Sequence, residues 1–307
     1  MDYEIAIIGA GPAGCTAGIY AGRGGASVVI FDKGMGGGLA VNSPRIENYP
    51  GFLSISGAEL MEKMKEHASQ YAEIRFFEGV KDIKIGEEIE VITDKGRYYV
   101  KAVIICTGTE PRKLNVKGEE KFIGRGVSYC ATCDGIFFKG KKVAVVGGGN
   151  TAIIEAIYLT NIGANVSVIH RRDELRAEKI IEEEAKAKGV NFIWNSVVEE
   201  IFGKEKVEGI KIRNVKTNEI KEMGVDGIFV SIGEEPNNEI AKKIGLALDE
   251  HGFIKADDMG RTSIDRIFAA GDITGGIRQI ITACSQGAKA AISAMKAIGK
   301  RSIWIVE

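Results

Sequence analysis

Two cysteines three positions apart, in the run Cys130-Ala131-Thr132-Cys133-Asp134-Gly135, are the residues of this chain best suited to covalent chemistry. Thiols at i and i+3 can close a small disulfide ring, and thiolate attack makes such a ring exchangeable with disulfides of other proteins. Three readings compete with a redox pair. A zinc half-site needs a second close cysteine pair or paired histidines, whereas Cys15, Cys106 and Cys284 stand singly and the three histidines are His67, His170 and His251. No metal is therefore expected. Two unconnected buried thiols are a further alternative. A fixed structural staple is disfavoured by the reducing compartment that five cysteines, odd in number and too few for a secreted scaffold, imply. Asp134 suits a proton donor to a leaving sulfur and, equally, a carboxylate that caps a helix or turn.

The elements that must position these thiols announce themselves through glycine, forty residues against five prolines. A strand-like run from Tyr3 to Ile8 enters Gly9-Ala10-Gly11-Pro12-Ala13-Gly14, a helix from about Cys15 to Gly22 follows, and a strand from Ser27 to Phe31 ends in Asp32 and Lys33. This is G-x-G-x-x-G in its required setting, with an acid about eighteen residues past the last glycine. Gly9 makes the tight turn, Gly11 admits a pyrophosphate to the backbone, and Gly14 lets helix and strand pack closely. The helix start offers free N–H groups and a positive dipole end, and Asp32 can accept from a ribose diol.

The pattern recurs. A strand from Lys142 to Val146 leads into Gly147-Gly148-Gly149-Asn150-Thr151-Ala152, a helix to about Ile162, and a strand from Asn165 to Ile169. Here the second strand ends not in an acid but in His170-Arg171-Arg172-Asp173-Glu174-Leu175-Arg176. A carboxylate there would repel a 2′-phosphate, whereas guanidiniums bind one through charge-assisted hydrogen bonds. The two turns thus point to unlike dinucleotides, an FAD-like one near Asp32 and NADPH near Arg171, Arg172 and Arg176. The competing reading of the arginines is a solvated helix start facing Glu178 and Glu182. His170 is expected to wall the nucleotide site rather than to catalyse.

An amphipathic helix is predicted over Glu59 to Tyr71, with Leu60, Met64, Ala68 and Tyr71 on its inner face. Strands around 74–77, 89–93, 98–100 and 103–106 follow, the last ending at Thr107-Gly108 before Pro111; a matching junction runs from Ile228 through Gly233 to Pro236. Near the end a strand from Ile267 to Ala270 meets Gly271-Asp272, and a long helix begins at Gln279 and Ile280 and runs through Ala297. The fold class is α/β with two Rossmann-like dinucleotide-binding domains, the second inserted in the first: 1–112 with 240–307, and 113–239. Two crossings side by side would act as a hinge. Cys15, Cys106 and Cys284 are expected in the core, and His67 and His251 at the surface.

A formal net charge of −1 with 27% charged and 45% hydrophobic residues excludes disorder and gives no sign of a nucleic-acid partner. No apolar run reaches the ~18 residues of a membrane span. A strand beginning almost at once leaves no room for a targeting leader, so the cytoplasm is the expected location.

The set GAGPAG, ENYPGF, CATCDG, GGGNTA, HRRDELRAE and GDI…RQ…TA resembles the low-molecular-weight thioredoxin reductases nearly end to end. The resemblance implies a homodimeric disulfide reductase of the FAD/NADP-linked class II type, which passes electrons from NADPH through FAD to the disulfide. Thioredoxin or a glutaredoxin-like protein would be the substrate. By motif position it implies that Cys133 faces the flavin, Cys130 attacks the partner's disulfide, and Asp134 is the acid/base residue. Gly37, Gly38 and Asn48 would lie along the isoalloxazine, Asp272 would hold the ribitol, and Arg278 and Gln279 would lead into a helix aimed at the flavin pyrimidine. One departure stands out: Leu39 follows Gly37-Gly38 where members commonly carry glutamine. Losing that polar contact bears on flavin potential and leaves open another donor, such as NADH, ferredoxin or a deazaflavin. A non-enzymatic FAD-binding redox sensor is the alternative from a different class. A start directly at the flavin fingerprint argues against the larger relatives that carry an added thioredoxin-like domain.

Overall fold

The computed structural model describes residues 2–43 and 46–300; Met1 and 301–307, which the predicted first domain includes, lie outside the described residues. The opening apolar run forms β1 (Ile5–Ile8), and the glycine turn delivers the chain into α1 (Pro12–Arg23). That helix starts three residues before the predicted Cys15, because Pro12 brings a helical φ and lacks an N–H that a helix start could not bond anyway. There follow β2 (Val28–Phe31), α2 (Gly57–Ser69), β3 (Glu73–Arg75), β4 (Val80–Ile85), β5 (Ile89–Thr93), β6 (Arg97–Val100), β7 (Ala102–Ile105) and β8 (Thr109–Pro111). The middle of the chain supplies β9 (Val127–Ser128), α3 (Ala131–Asp134), β10 (Lys142–Val146), α4 (Asn150–Asn161), β11 (Asn165–Ile169), α5 (Lys179–Ala187) and β12 (Asn191–Ile193). It continues with β13 (Ser196–Phe202), β14 (Gly209–Asn214), β15 (Ile220–Gly224), β16 (Gly227–Val230) and β17 (Glu234–Pro236). The return adds α6 (Glu239–Lys243), β18 (Ile267–Ala269) and α7 (Ile280–Ala297).

These elements divide into two compact units, one of residues up to Glu110 and from Glu235 onward, the other Pro111–Glu234. The predicted boundaries, 112/113 and 239/240, lay a few residues further along. Asn237 explains the second difference: its side chain and backbone bond Thr107 and Gly108, which ties the segment after β17 to the first unit. The crossing segments β8 and β17 are neighbours in a two-stranded sheet.

Each unit repeats one plan. In the first, a five-stranded parallel sheet runs β18-β7-β1-β2-β3; in the second, β9-β16-β10-β11-β12. A strand covered on both faces must be apolar throughout, which is why β1 and β2 read as unbroken hydrophobic runs. Their alternate residues serve opposite cores. Ile5 and Ile7 pack with α1, α2 and α7, while Ala6 and Ile8 face the core shared with the antiparallel meander β4-β5-β6. In the second unit Val143 and Val145 pack with α4, and Ala144 and Val146 join the core under β13-β14-β15.

Helix α2 corrects the predicted inner face. Leu60, Met64 and Ala68 are buried, but Tyr71 lies beyond the helix end and is 39% exposed, and Met61 at 0% takes the place on the adjoining row. Cys15, Cys106 and Cys284 are buried free thiols, whereas His67 and His251 are exposed. Among the described residues no helix is long and apolar enough to cross a membrane.

Candidate active site

Cys130 and Cys133 are joined as a disulfide, with their Cα atoms 5.3 Å apart. Cys130 is the N-cap of α3, and the ring closes over a single helical turn, in which Asp134 N–H donates to Cys130 C=O at 3.1 Å. Ser128 fixes the approach, its Oγ accepting from Cys130 N–H at 3.1 Å. Behind it stands Glu119, 1% exposed, whose carboxylate accepts from Leu114 N–H, Asn115 N–H and the Tyr129 hydroxyl. Sequence reasoning missed Glu119, whose role comes from loop geometry rather than from any motif. Ala131 roots α3 in the same core as Ala152 and Ala156 of α4.

Asp134 makes no capping bond to the 3-10 turn Gly135–Phe138 that follows it, so the capping alternative has no contact to support it. Desolvation raises its pKa above the ordinary carboxylate value, against an opposing hydrogen bond from Ser128. Glu155, on α4, is a second raised carboxyl. Burial pushes it up to about 7, opposed by hydrogen bonds from Ser231 and from Ala131 N–H.

In the first unit the Gly9–Gly14 turn has the steric character of a phosphate cradle. A Cβ on Gly14 would stand 1.8 Å from Gly9 O, and one on Gly9 (φ +105°) would stand 2.3 Å from Cys106 O, so both are needed for close packing. Gly11 differs: a Cβ there meets nothing nearer than Gly38 Cα at 3.9 Å. Its open face lies at the start of α1, which has no side-chain cap and no acid in its first turn. The N–H groups of that turn are therefore available to an anion. Asp32 is oriented by Ala10 N–H and Gly34 N–H, each at 2.8 Å to one carboxylate oxygen, leaving lone pairs on both for a diol. Lys33 instead meets Glu110 at 3.2 Å.

Other predicted residues of this unit converge from distant parts of the chain. Asn48 Nδ2 donates to Gln279 Oε1 at 3.1 Å, and Gln279 caps α7 in a reciprocal box with Thr282. Arg278 lies over the Phe253 ring at 5.9 Å. Ala13 approaches Gly271, where a Cβ would come within 2.9 Å of its own. Asp272 opens the short turn Asp272–Thr274. Gly271 N–H donates to Gln286 Oε1 at 2.8 Å, a contact with no sequence signature. Gly37, left-handed at φ +97°, starts the turn Gly38–Asn42, which leaves Leu39 39% exposed.

The second unit has a glycine turn of similar construction. Gly149 caps α4 and has nothing within 4 Å of a Cβ position, while a Cβ on Gly148 would strike the His170 ring at 2.2 Å. His170 is thus packed against the turn, 7% exposed, with Nε2 making no hydrogen bond among the described residues. Desolvation, with lesser contributions from Arg172 and Arg176, lowers its pKa against backbone hydrogen bonds at Glu174 and Gly147. Gly233, at φ +103°, accepts at its carbonyl from Arg112 N–H. Arg171, Arg172 and Arg176 are exposed, and among the described residues none forms an ion pair with Glu178 or Glu182. Glu178 bonds Asn150, Glu182 pairs with Lys186, and Asp173 meets Lys216 at 2.5 Å. These three acids thus have partners other than the arginines. Among the described residues no group of three His, Cys, Asp or Glu could hold a metal ion.

Residues 3–287 match the family model of the pyridine nucleotide-disulphide oxidoreductases. Among curated relatives, the thioredoxin reductase of Listeria monocytogenes is 43% identical, over 96% of this chain and 93% of its own. That of Bacillus subtilis is 42% identical, over 95% and 93%. Among solved structures, the thioredoxin reductase of Streptococcus pyogenes superposes with a TM-score of 0.85 at 44% identity, covering 96% of this chain and 98% of that one.

Proposed function

The chain belongs to the thioredoxin reductases of the pyridine nucleotide-disulphide oxidoreductase family, and from that premise we propose that NADPH is its electron donor, FAD its flavin, and thioredoxin or a glutaredoxin-like protein its substrate. The observation that carries this reading is that one compact unit holds both the joined thiols and a glycine turn flanked by three guanidiniums that, among the described residues, form no ion pair with Glu178 or Glu182. When bound, the flavin supplies a two-electron relay between a nicotinamide and a disulfide.

The first unit would hold FAD with Gly9, Gly11, Pro12, Ala13 and Gly14 at the pyrophosphate and Asp32 at the ribose. Gly37, Gly38, Asn48, Asp272, Gln279 and Ile280 would lie toward the flavin. In the second unit, Gly147, Gly149, Asn150, Thr151 and Ala152 would cradle the donor's pyrophosphate while Arg171, Arg172 and Arg176 take its 2′-phosphate. Cys133 faces the flavin in this scheme. Once the ring is reduced, the Cys130 thiolate attacks one sulfur of the partner's disulfide, and the other sulfur leaves and takes a proton from Asp134. Cys133 then attacks Cys130, which restores the ring and releases the partner as a dithiol. Serving the donor and Cys133 in turn at one flavin requires the unit Pro111–Glu234 to reorient on its two crossings. A homodimer working in the cytoplasm completes the reading.

Steady-state kinetics with NADPH, NADH and a candidate thioredoxin test it. Two charge-assisted contacts at roughly 1.5 kcal/mol each should favour NADPH by about 100-fold in kcat/KM. Equal use of both nicotinamides would overturn the donor, and a protein that binds FAD but turns over no disulfide would be the sensor instead.

A further inference from the structure

Four hydrogen bonds fasten the arginine loop to the second glycine turn. Two are backbone bonds, from Arg176 N–H and Ala177 N–H to Gly148 O at 2.7 and 3.2 Å. The other two form a reciprocal pair: Asn150 Nδ2 donates to Glu178 Oε1 at 2.9 Å, and Glu178 N–H donates to Asn150 Oδ1 at 2.8 Å. Asn150 is the first residue of α4, and Glu178 is the N-cap of α5, where its side chain makes no capping bond. The carboxylate that ordinarily serves its own helix start is turned back to the glycine turn.

We propose that the Asn150–Glu178 clamp determines nucleotide specificity, by fixing the backbone that carries Arg171, Arg172 and Arg176 and by keeping the Glu178 carboxylate off those guanidiniums. This rests on the reading of the second turn as the NADPH cradle. Long exposed arginines lose conformational entropy when they grip a phosphate, and a loop already fastened loses less. The amide of Asn150 adds a second effect. It accepts from the Glu178 backbone N–H and holds the side chain of an acid at the α5 start that could otherwise swing toward the arginines. Glu178 is a positioning residue, acting through the loop rather than on the nucleotide.

The test uses the flavin-loaded protein and two soluble probes, 2′,5′-ADP and 5′-AMP, which differ by the 2′-phosphate, with binding measured by calorimetry beside NADPH and NADH kinetics. Glu178→Ala should weaken 2′,5′-ADP about fivefold and raise the KM for NADPH alike, with kcat and 5′-AMP binding within about twofold of the parent. Glu178→Gln, which keeps the acceptor oxygen, should restore parental binding. Asn150→Ala frees the carboxylate and should weaken 2′,5′-ADP about tenfold or more, and the double variant Asn150→Ala/Glu178→Ala should bind this probe better than Asn150→Ala alone. Equal weakening of both probes by Glu178→Ala, or a double variant no better than Asn150→Ala, overturns the proposal. A parent that binds 2′,5′-ADP no better than 5′-AMP instead overturns the donor reading on which it rests.

Discussion

Alanine at Gly11 and at Gly14 should separate two jobs that one motif combines. A Cβ on Gly14 would stand 1.8 Å from Gly9 O, and backbone cannot yield there without moving the turn; on Gly11 the nearest atom is 3.9 Å away. Neither position is left-handed, so contact alone distinguishes them. Overpacking costs about 1–3 kcal/mol, and a clash with a carbonyl belongs at the upper end. At roughly 2–4 °C per kcal/mol for a domain of this size, Gly14→Ala should lower the melting temperature of the FAD-free protein by about 6–12 °C. Gly11→Ala loses only the N-cap preference of glycine over alanine, about 1 kcal/mol and roughly 2–4 °C. Its methyl, however, projects from the open face that the proposed pyrophosphate would approach. Forfeiting two charge-assisted bonds there, about 3 kcal/mol in all, should weaken FAD about 100-fold. Thermal melting without FAD and titration by quenching of flavin fluorescence measure the two effects. Parental FAD affinity in Gly11→Ala, or parental melting in Gly14→Ala, would refute the steric assignment.

The thiols, with FAD bound, should divide by role. Cys133→Ser is expected to stop electron flow to thioredoxin while NADPH still bleaches the flavin, and Cys130→Ser should show a long-wavelength absorption band from the remaining thiolate; lack of that band would reverse the assignment. Burial holds Asp134 above the ordinary carboxylate value, so its proton is available below that raised value and lost as pH rises through it. Thioredoxin reduction should fall along that limb, and Asp134→Asn should cut it about 100-fold and flatten the profile, whereas an unchanged pH–rate curve would remove the residue from proton transfer. For Glu155, raised from 4.5 to about 7, the stability is fully present below about pH 4.5 and declines as pH rises through 7. Glu155→Gln should therefore raise the melting temperature at pH 8 by the equivalent of up to about 3 kcal/mol and have little effect at pH 4.5; equal shifts at both pH values would count against it.

Both strand–turn–helix units were legible because the signal is local. A strand covered on both faces is a continuous apolar run, and the turn that follows demands small residues at fixed offsets. Strand β10 and helix α7 accordingly fall where the pattern put them. Strands β4, β9 and β12 to β15 escaped. β15 is an edge strand with no fully buried residue, and the Ile-Lys-Glu-Met-Gly sequence carries little of the alternation that marks a half-buried strand. Met61 was missed and Tyr71 misplaced because periodicity fixes a face but not where the helix stops. Site residues such as Asn237, Gln286 and Glu178 act through bonds between segments far apart in the chain, and such partnerships leave no local trace. The arginines were visible, but whether Glu178 paired with them was a question only geometry could answer.

Burial pushes the pKa of Cys15 up to about 12 and raises those of Cys106 and Cys284 as well, so three of the five sulfurs are shut away from reagents. An alkylating probe such as a maleimide should therefore count none in the native oxidised protein and two after mild reduction. The molecule reports its own electron inventory, with no background from bystander thiols.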